Sequence, residues 1–206
     1  MFPIRIVSLA IGLAVSVIAQ GAAAQAWPTK PIRLVVPFSA GGANDLMARA
    51  AAEGASKQLG QPVIVDNKPG AGAILGADVV AKSAPDGYTF LVSAAGVVSN
   101  SMIKKSMPYK DDALVPVAMI GLAPSVIVVP ANAPYKDLKE FVAASKKSGG
   151  GFHWATAGTG STPHFVEGIL ETKYGSKLDV VPYKSGSESI TAVLGSQVEA
   201  TSEASI

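Results

Sequence analysis

PIRLVVPFSAGGANDLMARAAAEGASKQLGQPVIVD, residues 31–66, decides the fold. Ile32 to Phe38 is rich in β-branched and apolar residues and reads as a buried strand, which Gly41-Gly42 breaks. Asn44 to Leu59 then has helical composition, with Leu46, Met47, Ala50 and Leu59 expected on its apolar side. Pro62 to Asp66 returns to strand character. Outward from this unit, Pro69 to Gly72 reads as a loop, Ile74 to Lys82 as a helix and Asp86-Gly87 as a turn. Tyr88 to Ser93 supplies a third strand. The β-α-β-α-β order predicts a parallel sheet with helices on its faces.

The pattern restarts beyond the uncharged run Ala113 to Val129. Pro116 and Pro124 argue against a spanning helix, and the clusters Val117–Leu122 and Ser125–Val129 are expected as two buried strands. Tyr135 to Lys147 reads as an amphipathic helix with Leu138, Phe141 and Val142 inward. A strand at 152–158, a helix from Thr162 to Tyr174, a strand at 178–183 and a helix from Ser187 to Leu194 follow. Gln197 to Ala200 opens a last strand. The expected organisation is two α/β lobes, 27–123 and 124–206, the second lacking closing elements as if C-terminally truncated.

Composition removes much chemistry. Among 206 residues there is no Cys, which excludes disulfides, thiolate zinc sites, iron–sulfur clusters and Cys nucleophiles. The two histidines, His153 and His164, cannot form an all-histidine catalytic zinc site. A net charge of +2 without a basic run argues against nucleic acid as partner. Residues 1–26 read as a cleavable signal peptide: Arg5 as the positive end, apolar Ile6 to Ala19, then Ala-x-Ala sites at Ala22–Ala24 and Ala24–Ala26. The apolar part falls short of the roughly 20 residues a spanning helix needs. Export without Cys suits a bacterial periplasm.

Three glycine-rich loops are candidates for holding an anion. Phe38-Ser39-Ala40-Gly41-Gly42-Ala43-Asn44-Asp45 carries a strand end into a helix start, where exposed amides meet the positive end of the helix dipole. The structural alternative is an ordinary turn capped by Asn44 or Asp45, and the charge of Asp45 competes with an anion. Gly158-Thr159-Gly160-Ser161-Thr162-Pro163-His164 repeats the arrangement, with Ser161 or Thr162 either capping the helix or donating to a ligand. His164 could orient this loop or, with Ser161, form a nucleophile pair, although no G-x-S-x-G surrounds the serine. Gly70, Gly72 and Gly76 mimic a dinucleotide fingerprint set apart from its strand, a weak signal best read as a turn with close helix packing. Tyr183 could lean into a cleft from the turn after its strand or stand on an exposed turn. The first two loops, one per lobe, would face each other across a crevice at the carboxyl ends of the sheets.

Four segments, 27–49, 60–89, 152–164 and 180–186, resemble the Bug family, extracytoplasmic solute-binding proteins of tripartite tricarboxylate transporters. Their order and spacing cover nearly all of residues 27–200. The resemblance implies a two-lobed, type II periplasmic-binding-protein architecture that captures a small organic carboxylate and delivers it to membrane permease subunits. It implies neither catalysis nor a cofactor, and the default state is a monomer. On the same basis the Phe38–Asp45 and Gly158–His164 loops would be jaws on one ligand carboxylate. Amides around Ala40, Gly41, Gly42 and Ala43, with Ser161 and Thr162, would be donors, and Ala94, Ala95 and Tyr183 would shape the variable end. Asn44 stands where the family more often has Thr or Ser, and Ser187-Glu188 replaces a small, proline-containing stretch. The alternatives are a periplasmic ligand sensor for a signalling partner and a hydrolase using Ser161 and His164.

Overall fold

The computed structural model describes residues 26–205, so all but the end of the segment read as a signal peptide lies outside the described residues. In chain order, β1 is Ile32–Val36, α1 Ala43–Leu59, β2 Val63–Asn67, α2 Ile74–Ala81, β3 Thr89–Leu91 and α3 Gly96–Ile103. After an extended crossing come β4 Ser125–Val128, α4 Leu138–Lys147, β5 Phe152–Thr156, α5 Thr162–Tyr174, β6 Leu178–Pro182, α6 Gly186–Leu194 and β7 Ala200–Ala204. They build two sheets, β2-β1-β3, parallel throughout, and β4-β7-β5-β6, parallel except where β4 runs against β7. No described helix is long and apolar enough to cross a membrane.

In the second sheet the strand period of two sorts the core. Trp154 of β5 packs with Phe141 and Val142 of α4 and Leu170 of α5, while its neighbour Ala155 meets Ala192 and Val193 of α6 on the other face. Trp154 is fully buried, stands edge-on to Phe141 at 6.2 Å, and donates from Nε1 to the Pro163 carbonyl at 2.9 Å. That bond ties the start of α5 to the sheet. Helix α5 keeps the bounds read from the sequence, with Pro163 in its first turn and left-handed Gly175 closing it.

Three expectations are corrected. Val117 to Leu122 is neither strand nor buried: it runs extended, with Val117 77% and Leu122 86% exposed. An apolar run becomes a strand only beside a ladder partner, and none pairs with it among the described residues. The inward side of α1 is Asp45, Ala48 and Ala52; Leu46, Ala50 and Leu59 are exposed and Met47 is half-buried. The small alanines let α1 lie close on the sheet, against Val36 and Val92. Leu138, expected inward, is exposed at the start of α4, while Phe141 and Val142 are buried as read. Helix α3, Gly96–Ile103, was not foreseen.

Replacing Trp154 by Phe removes the Nε1 donor, strands the Pro163 carbonyl and leaves a small void. Urea unfolding of W154F is expected to show a loss of about 1–3 kcal/mol.

Candidate functional site

In each sheet the chain reverses the direction in which strands are added, between β1 and β3 and between β5 and β7. The carboxyl ends of strands at such reversals leave a crevice. Here the two crevices face each other and merge into one cavity of about 490 Å³. From the first lobe it is lined by Phe38, Gly42, Ala43 and Asn44 after β1 and by Ser93, Ala94, Ala95 and Gly96 after β3. The second lobe contributes Gly160, Ser161 and Thr162 after β5, Gly186 at the start of α6, and Ser202 and Glu203 near the end of β7.

The lobes meet beside this cavity, backbone against backbone. A Cβ added to Gly72 would collide with the Thr159 carbonyl oxygen, and one added to Gly96 with that of Gly160. Buried Asn100 of α3 donates from Nδ2 to the Gly72 carbonyl at 2.9 Å and turns Oδ1 toward the space a Gly160 side chain would need.

The cavity is rich in donors without partners. Helices α1, α3 and α5 contribute first residues to it and α2 its N-cap Ala73, and none of the four has a side-chain cap, whereas α4 is capped by Asp137 and α6 by Ser185. In α2 and α3 the first amides fold back: Ile74 and Leu75 donate to Ala71 and Gly70, Val97 and Val98 to Ala94 and Ala95. In α1 and α5 the amides of Ala43, Asn44 and Thr162 have no acceptor among the described residues. Helix starts with such groups attract negative charge. Three buried hydroxyls of the cavity wall, those of Ser93, Ser161 and Ser202, also have no protein partner.

Of the residues singled out from the sequence, Phe38, Gly42, Ala43, Ala94, Ala95, Gly160, Ser161 and Thr162 line the cavity together. Ala40, Gly41, Asp45, Gly158, His164 and Tyr183 do not. Gly158 and Tyr183 border a separate hollow with Lys104 and Lys184, and Tyr183 also packs beside Ala155 and Val193. Gly41, at φ 83°, gives its amide to Asp45 Oδ2 at 2.9 Å, so that amide is not available as a ligand donor. Asp45 is only 2% exposed and is gripped from three sides: Gly41 N, Arg49 Nε at 2.9 Å, and Asn67 Nδ2 on Oδ1 at 2.9 Å. Burial pushes its pKa up, but the bonds from Arg49, Gly41 and Asn67 prevail and hold it below the ordinary carboxylate value. Its competition with an anion is thereby reduced, because its charge is answered inside the α1 entry loop.

His164 orients its loop. Its Nδ1 accepts from the Gly160 amide at 3.2 Å, and burial, then the charge of Lys104, lower its pKa, favouring the neutral ring. Ser161 Oγ has no partner, so the Ser161–His164 bond a hydrolase would require is not formed. Neither arginine of the described chain answers a ligand: Arg33 pairs with Asp66 at 2.6 Å and Arg49 with Asp45. No group of three potential metal-ligating side chains occurs among the described residues.

Sequence reasoning missed Ser93, Ser202 and Glu203. Ser93 closes the third strand as read, and its place at a strand's carboxyl end was a usable signal; Ser202 and Glu203 lie within a strand of which only the beginning was read. Glu203 is the one ionisable side chain among the described residues of the cavity wall.

Two α/β lobes around an interlobe cavity make up the periplasmic-binding-protein architecture. The Tripartite tricarboxylate transporter family receptor profile, TctC, matches residues 47–205, and the chain belongs to that family. It is 36% identical over 198 residues to BugT of Bordetella pertussis, covering 95% of this chain and 61% of that protein. It is 40% identical over 194 residues to a UPF0065 protein in the gbd 5' region of Cupriavidus necator, covering 92% and 57%. The structure resembles periplasmic binding protein BugD, with TM-score 0.80 at 33% identity over 86% of this chain and 60% of that one. It likewise resembles MatC of Rhodopseudomonas palustris with bound malate, TM-score 0.80 at 30% identity, covering 86% and 61%. An R. palustris protein with adipate gives TM-score 0.81 at 29% identity, covering 86% and 60%. The chain spans 52–61% of the length of the first curated relatives it matches.

Two predictions follow from this geometry. The stabilisation from Asp45, whose folded pKa is depressed, is complete above the unfolded value near pH ~3.9 and is lost as pH falls through the folded one. Acid unfolding should therefore cost the wild type stability that D45N has already lost at neutral pH, about 2–4 kcal/mol by urea titration. Gly160→Ala, whose Cβ would strike Asn100, should hold the lobes apart and weaken ligand binding about tenfold or more by calorimetry, while Gly149→Ala, with open space around it, should not.

Proposed function

We propose that the chain is the ligand-capturing part of a periplasmic solute-binding protein that takes a small organic carboxylate between its lobes for a tripartite tricarboxylate-type permease. The observation that carries this reading is the convergence of unanswered amides of α1 and α5 with the orphaned hydroxyls of Ser93, Ser161 and Ser202 on one cavity. A carboxylate offers several acceptor lone pairs to such donors and needs no arginine. The malate bound to MatC and the adipate bound to the other R. palustris protein support the ligand class.

In this reading residues 1–26 are the export signal, 27–123 and 124–206 are the two lobes, and the crossing near 124 is the hinge about which they close. The ligand-facing set is Phe38, Gly42, Ala43, Ala94, Ala95, Gly160, Ser161 and Thr162. Ala40, Gly41, Asp45, Gly158, His164 and Tyr183 act behind it, by shaping the loops. The working form is a monomer that gives its ligand to membrane permease subunits, with no catalysis and no cofactor.

Thermal unfolding against citrate, succinate, malate, adipate, glutamate and a benzene dicarboxylate tests the reading. A binder at 100 times its dissociation constant should add about 2.7 kcal/mol of stability. Ser161→Ala should lower affinity for that acid about 10- to 100-fold, the value of one hydrogen bond to a charged group. Indifference to every acid would overturn the reading.

A further inference from the structure

Glu203 stands where a carboxylate ligand would be least welcome. It lies near the carboxyl end of β7, beside the β5/β7 reversal, and lines the interlobe cavity. Its Oε1 is buried without a hydrogen-bond partner. The carboxyl group occupies the space that a side chain at Gly186 would fill, so the start of α6 is shaped around it. The elements packed on it bring no opposite charge. Opposite it in register on β4 is Val126, and on α6 the nearest acid, Glu188, turns back to accept from the Lys184 amide at 3.1 Å. No Lys, Arg or His lines the cavity among the described residues.

We propose that Glu203 is the specificity residue of this cleft and that it binds in its neutral form, giving its proton as a hydrogen bond to an oxygen of the ligand, so that capture of a carboxylate takes up a proton. The inference rests on the carboxylate reading of the cleft. An ionised Glu203 would present acceptor lone pairs and a like charge to the anion, while the protonated acid presents one O–H donor. No bond is made or broken apart from that proton, which comes from solvent. Burial alone pushes the Glu203 pKa up to about 7, so the neutral form is already accessible near neutrality. A bound anion raises it further.

The test is calorimetric titration of the full chain with malate and with adipate from about pH 6 to 8.5, where both acids stay essentially ionised. If only the protonated site binds, apparent affinity should fall about 30-fold across that range, approaching tenfold per pH unit above the pKa. Glu203→Gln, which keeps a donor and cannot ionise, should hold its affinity flat across the same range. Titration of the wild type in buffers of different ionisation enthalpy needs no variant and should count close to one proton taken up per ligand at the alkaline end. Glu167 on α5 also has its pKa raised to about 7, first by burial and then by Glu171, but it does not line the cavity, so E203Q separates the two groups. Binding of either acid that is independent of pH, or that tightens as pH rises, would overturn the inference while leaving the carboxylate reading. Where neither acid binds, the titration is run with whichever acid of the thermal panel does, and failure of the whole panel would overturn the carboxylate reading and this inference with it.

Discussion

The approach of two backbones fixes everything around the cleft. Gly72 lies against the Thr159 carbonyl and Gly96 against that of Gly160, with Asn100 tying α3 to Gly72 from behind. Side chains at those points would push the segments apart, and those segments carry the starts of α2, α3 and α5. The distance between two dipole-bearing helix ends is thus set by contacts with almost no compliance, since neither partner has a rotamer to change. His164 contributes from its own side by holding the Gly160 amide, which fixes the loop in the conformation that fits.

The charged groups of the α1 entry and of β1 are paired with one another, while the polar groups facing the cleft stay open. Asp45 absorbs the Gly41 amide, Arg49 and Asn67, and Arg33 is held by Asp66. Both arginines are spent on scaffolding, and apart from Glu203 the cleft presents chiefly backbone amides, serine hydroxyls and apolar side chains. Such a wall discriminates by shape and by the placement of hydrogen bonds, because each dipole contributes little by itself.

The elements that were legible in the sequence are those with strong local punctuation. Helix α5 has Pro163 at its start and Gly175 at its end; β1 and α1 are separated by Gly41-Gly42. Helix α3 was not legible, because Gly96-Val97-Val98-Ser99 offers β-branched residues and no capping side chain. What anchors it is tertiary: Asn100 is buried between the lobes and donates to the Gly72 carbonyl, a contact that no local pattern carries. Val117 to Leu122 failed in the opposite sense: its apolar run looks like a strand, yet strand formation depends on a neighbour and not on composition. Half of the cleft wall was visible as glycine-rich loops after strands. Ser202 and Glu203 were not, because which residues of β7 reach the cavity depends on β7 inserting between β4 and β5.

The magnitudes explain why one carboxyl can dominate a site assembled from dipoles. A favourable helix end is worth about 0.3–1 kcal/mol to an anion, and up to about 2 in partly buried geometry. Two like charges about 4 Å apart at an effective dielectric of about 20 oppose each other by about 4 kcal/mol. That single repulsion rivals the contributions of α1 and α5 together. An arginine in the wall would swamp it, but both described arginines are committed elsewhere. The protonation state of Glu203 is therefore the largest adjustable electrostatic quantity in the cleft. The same absence of fixed charge that makes the wall selective for shape makes it responsive to a single proton.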